Sequence, residues 1–104
     1  MADAAPSLFA VRFHDHAHQV SVRQAQMQAH LAWLDGHQEH ILVAGSLRRD
    51  PGLPPVGGLW VVRADSRAEV QALVETDPFW RHGLRASCEI LHWSKAFPDR
   101  ATPV

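Results

Sequence analysis

Residues 48–58, RRDPGLPPVGG, hold three prolines and three glycines within eleven positions. Proline removes a ladder donor and fixes φ, and glycine adds backbone entropy, so such a stretch predicts an irregular loop rather than regular structure. Short apolar runs flank it. Residues 40–47, HILVAGSL, precede it and residues 59–64, LWVVRA, follow it. The loop therefore joins two strands directly, with no helix between them, and this fixes the middle of any topology for the chain.

On the N-terminal side, Leu8–Phe13 is apolar on both parities and reads as a strand buried in part on both faces. Residues 1–6 read as a loose tail. After the polar break HDHAHQV, Ser21 is the expected N-cap, with Gln24 at capping-box spacing. Val20, Met27, Leu31 and Leu34 cluster within about 40° on a helical wheel. They predict a helix over 21–35 with that apolar stripe inward and Gly36 just past its end. On the C-terminal side, Asp65 or Ser66 caps a second helix over 67–75, and Asp77-Pro78 opens a short helix that stops at Gly83. Residues 86–93, ASCEILHW, form the last strand, and the chain beyond Lys95 reads as a frayed tail.

The order β-α-β-β-α-β implies an α+β, ferredoxin-like sandwich: a four-stranded antiparallel sheet with both helices on one face. The 104 residues suit one domain, 1–104, with its core within 8–97. Two helices cover one face, yet the strands are apolar on both. A second copy packed sheet to sheet is the economical cover, so a homodimer is expected.

Composition narrows the function classes. The net charge is −1, and Lys95 is the one lysine, which argues against a nucleic-acid footprint. No run reaches the ~18 apolar residues of a membrane span. The start carries no signal-peptide pattern, and the single cysteine, Cys88, supports neither an internal disulfide nor a cysteine-based zinc site. These features fit a cytoplasmic protein. No GxGxxG or P-loop occurs, so no cofactor is expected. The eight histidines include His14, His16 and His18, which an extended strand would place on one side. With no other motif supplying a further ligand, no native metal site is expected there.

The stretches AHLAWLDGHQEHILVAGSL and EVQALVETDPFWRHGLRASCEILHW carry a resemblance. The first resembles a helix with a His-Leu pair that leads through a glycine turn into the second strand of the YciI-like, or YCII-related, family. The second is similar to that family's Asp-Pro-Phe segment, short helix and last strand. Together the likeness spans roughly residues 8–97. It implies a dimeric α/β barrel, two ferredoxin-like subunits packed sheet to sheet. It also implies an active site built on His30 and Asp77. A few relatives are linked to dehalogenating or lactone-type steps in aromatic breakdown. Two positions depart from the family pattern: Met27 stands where many members have arginine, and Ser46 where many have proline.

On the wheel His30 lies about 60° from Met27, on the shoulder of the expected stripe, where a general base suits a cleft. Asp77 caps a helix whatever else it does, and a carboxylate on one ring nitrogen fixes the imidazole tautomer. Ser46 at the end of the second strand, Phe79 and Trp60 are the candidate substrate contacts. Arg48 and Arg49 read as a solvated pair. The sequence thus supports acid–base chemistry on a small acid or lactone, of dehydrohalogenase or lactone-isomerase type. A non-enzymatic ligand-binding or regulatory module on the same fold is the alternative. A cofactor-free or haem-linked monooxygenase-like protein is a third reading, by fold analogy alone.

Overall fold

The computed structural model describes residues 6–101. Seven elements follow in order: β1 (Ser7–Asp15), α1 (Val20–Asp35), β2 (Ile41–Leu47), β3 (Gly57–Ala64), α2 (Arg67–Thr76), α3 (Pro78–Arg81) and β4 (Arg85–Trp93). The strands pair antiparallel in the order β2-β3-β1-β4, with the helices against one face. This is the ferredoxin-like α+β arrangement expected from the element order. The expected N-terminal tail lies outside the described residues except for Pro6. Among the described residues no helix is long and apolar enough to cross a membrane.

Alternation along the strands builds the core. Phe9, Val11 and Phe13 of β1 point to the helices, and so do Trp60 and Val62 of β3 and Ile90 of β4. Phe13 and Trp60 meet edge to face at 4.6 Å between ring centres. From α2, Val70 and Val74 are fully buried against this layer. The opposite face of the sheet also carries apolar residues, and there Leu91 and Trp93 are 53% and 42% exposed.

Four local expectations are corrected. Ser21 is not the N-cap of α1. Tertiary and turn hydrogen bonds (His16 N–H to Leu84 O and Gln19 N–H to His16 O) hold the chain so that the helix begins at Val20 behind Gln19, with no side-chain cap. Gly36 ends α1 in right-handed conformation, φ −74°, so the left-handed glycine cap is absent. Instead the His37 Nδ1–H donates to the Trp33 carbonyl at 2.6 Å. Gly57 and Gly58 belong to β3, not to the loop. A Cβ on Gly57 would sit 2.0 Å from the Phe13 carbonyl oxygen, so glycine there answers a close backbone approach.

The fourth correction concerns the stripe on α1. Val20 is 50% exposed and Leu31 55%, while His30 is the helix's one buried residue. The inward face is rotated onto His30, with Arg23, Met27 and Leu34 half-buried around it. This orientation is tolerable because a polar partner waits beneath the histidine.

Candidate functional site

That partner comes from the far half of the chain. The backbone leaves α2 at Asp77 in extended conformation, and Pro78 begins α3 at a position where its missing N–H costs nothing. Asp77 is fully buried, and its Oδ1 accepts the Phe79 N–H at 3.2 Å as the helix cap. The same oxygen accepts the His30 Nδ1–H at 2.7 Å. Capping and orienting the imidazole are thus done by one carboxylate. Asp77 Oδ2 is buried without a partner among the described residues. The Phe79 ring stacks on His30 at 3.9 Å and 13° between planes, which fixes the remaining freedom of the imidazole. With Nδ1 engaged, Nε2 is the ring nitrogen left without a partner among the described residues, and His30 lines a cavity of about 230 Å³.

Ser46, Trp60 and Phe79 line the same cavity, so the topology brings these candidates together with His30, and Asp77 stands behind. Ser46 Oγ accepts from Arg48 Nη2 at 3.0 Å, which leaves its own hydroxyl proton free to donate. Arg48 is therefore a wall residue of the cavity rather than a purely solvated charge. A cavity of roughly 150 Å³ holds benzene. About 230 Å³ suits a single substituted ring and is far short of the four-ring porphyrin that a haem reading requires.

The sequence reading missed a second cluster. Asp15, at the end of β1, accepts from Arg23 Nη2 at 2.5 Å and from Arg85 Nη1 at 2.8 Å. Arg85 opens β4, and its guanidinium lies 4.3 Å over the Phe13 ring and 5.1 Å over Phe79. Arg23 lies 5.2 Å over Phe79. Burial pulls the Arg85 pKa below its ordinary value, against the opposing pull of Asp15 and, more weakly, Asp77. In sequence these were charges at element ends, with Asp15 and Arg85 70 positions apart. The available signal was Arg23, one heptad before His30.

The histidine-rich segment does not form a strand face. The ladder ends at Asp15, so His16 and His18 lie beyond it, and His14 pairs with Glu89 at 3.3 Å. Among the described residues no group of three His, Cys, Asp or Glu side chains is placed to hold a metal ion.

A ferredoxin-like sheet with a histidine–aspartate pair beside a ring-sized cavity defines the class. Residues 7–94 match the YCII-related domain model, and the chain belongs to that family. Among solved structures, one that it resembles is 5-chloro-2-hydroxyhydroquinone dehydrochlorinase (TftG) from Burkholderia phenoliruptrix AC1100, in complex with 2,5-dihydroxybenzoquinone. Identity is 32%, the match covers 84% of this chain and 93% of that one, and the TM-score is 0.76. A putative antibiotic biosynthesis monooxygenase from Bacteroides thetaiotaomicron VPI-5482 shares the fold at 11% identity and TM-score 0.59, over 98% of this chain and 100% of that one. Among curated proteins, none matches.

Proposed function

We propose that this chain is a small acid–base enzyme of dehydrohalogenase type, acting on a small acidic ring compound of aromatic breakdown, with a lactone as the related substrate class. One observation carries the reading: His30 Nδ1 is held by Asp77 at 2.7 Å while Nε2 is left unpartnered beside a ring-sized cavity. In the neutral imidazole the Nδ1–H points to Asp77, so the Nε2 lone pair takes a proton from the substrate and later returns it. Asp77 stabilises the imidazolium formed between those steps. Trp60 and Phe79 supply aromatic wall, and the Ser46 hydroxyl donates to a ring oxygen. For a chlorinated hydroquinone the proton taken from one hydroxyl is returned to the ring carbon that bears chlorine, and a second hydroxyl proton is lost to water as chloride leaves that carbon, so the net change is loss of one proton and one chloride with the ring left as a quinone. The likeness to the dehydrochlorinase supports this choice of reaction.

The test is chloride release from 5-chloro-2-hydroxyhydroquinone. Release by the wild type that falls at least a hundredfold in His30→Ala is the expected result. Tight binding of the compound without any release points to the ligand-binding module instead.

The same proposal includes assembly and setting. The outer sheet face, with Leu91 and Trp93 exposed and Leu8 and Val61 half-covered, is read as the seat of a second copy, sheet to sheet. Sedimentation at micromolar concentration should give twice the 11.6 kDa chain mass; a stable monomer contradicts it. A free, half-buried Cys88 fits a reducing cytoplasm.

A further inference from the structure

The charge inventory of the cavity is unbalanced. Arg23, Arg48 and Arg85 all line it. Against these three guanidinium groups stand two carboxylates. Asp15 is shared between Arg23 and Arg85, and Asp77 is committed to His30. With a neutral imidazole one positive charge is in excess among these groups, and an imidazolium adds another. A buried ion pair stabilises only when every charge is matched, and one carboxylate divided between two guanidinium groups does not match both.

Arg85 is where the mismatch is deepest. Its side chain is 3% exposed. Nη1 is spent on Asp15, and among the described residues Nε is buried without a partner and Nη2 has no partner yet is not sealed off. The backbone also gives way to it. A Cβ on Gly58 would stand 3.2 Å from both Nη1 and Nη2 and 3.1 Å from the Gly45 carbonyl oxygen. The two aromatic rings beneath the guanidinium hold its plane. A fixed, desolvated fork with a spare donor is the arrangement that recognises a planar oxyanion.

We propose that the cavity takes its ligand as an anion, with an enolate or carboxylate oxygen held by Arg85 at the wall and by Arg48 at the rim, so that Arg85 selects charged rings over neutral ones. This rests on the cavity being the ligand site of the proposed enzyme and adds the ligand's charge state and the residue that reads it. Arg85 here is a substrate-binding residue, and its grip sets which ring position faces His30 Nε2.

The test is calorimetric binding of matched pairs: 2,5-dihydroxybenzoquinone against its neutral dimethyl ether, and benzoate against benzamide. The wild type should favour the charged member at least tenfold in one pair or both. Arg85→Gln should abolish that preference, and Arg85→Lys should keep part of it. Asp15→Asn, which removes a competing negative charge, should tighten binding of the charged member, an effect that mere structural damage does not give. If Arg85→Gln fails to fold, the wild-type preference and the sign of the Asp15→Asn effect decide. The proposal is overturned if wild type binds both members alike, or neither, or if Arg85→Gln retains the preference. Arg85-dependent binding of benzoate with no chloride release sinks the dehydrochlorinase reading alone, whereas chloride release without charge preference sinks this one alone.

Discussion

Helices α1 and α2 lie on the same face of the same sheet and are built on opposite terms. Helix α2 is ordinary: Ser66 accepts the Glu69 N–H at its start, and Val70 and Val74 go inward. Helix α1 has no side-chain cap, leaves Val20 and Leu31 outside, and buries a histidine. A helix gains tertiary stability from its apolar face. One whose inward side holds a histidine and an arginine beside Trp33 and Leu34 needs particular partners for them, here Asp77 and Phe79 under His30, and Asp15 on Arg23. The stable helix supports the sheet, and the costly one presents His30 to the cavity.

The contrast breaks hardest at His30. His30→Ala should lose activity by a hundredfold or more. It should also destabilise by about 3 kcal/mol, because the Asp77 carboxylate is then left buried with only the Phe79 N–H. Asp77→Asn keeps a capping side chain, so its stability loss should be about 1 kcal/mol or less, with an activity loss near that of His30→Ala. In the double variant the activity defects should not multiply; multiplied defects would separate the two residues. On α2, Val74→Ala should cost about 2 kcal/mol in urea unfolding with the turnover of the folded fraction unchanged. Val20→Ser on α1 should shift stability by less than about 0.5 kcal/mol, since Val20 is half exposed. A core-sized loss there would restore the apolar stripe as the inward face.

A smaller effect concerns Cys88 on β4. Burial pushes its thiol pKa up, so at neutral pH less thiolate is present than in an unstructured peptide. Alkylation by iodoacetamide should be slower than that of a free thiol at pH 7 and should catch up as pH rises.

The same contrast explains what could be read from the sequence. Strands were legible because short apolar runs, Leu8–Phe13 and residues 59–64, stand between polar or Pro/Gly-rich breaks. The Asp77-Pro78 helix start was legible because capping is local chemistry. The orientation of α1 was not, because a wheel ranks residues by hydropathy and cannot see that His30 has a carboxylate partner 47 positions away. Asp15, Arg23 and Arg85 were missed for the same reason, since a charge at an element end reads as solvated until the fold supplies its counter-ion. Gly57 and Gly58 looked like loop because glycine also marks turns, and the groups that crowd them lie on other strands: the Phe13 carbonyl at Gly57, and the Gly45 carbonyl with the Arg85 guanidinium at Gly58.

The central claim, that Asp77 holds His30 with Nε2 open to the cavity, can be tested without any substrate. Long-range proton–nitrogen NMR correlation reports which ring nitrogen of His30 carries the proton in its neutral form. The account predicts the proton on Nδ1, in slow exchange with water, and a bare Nε2. A neutral ring with its proton on Nε2 and a bare Nδ1 could not donate to Asp77 and would offer no lone pair to a ligand, and that result would contradict the account.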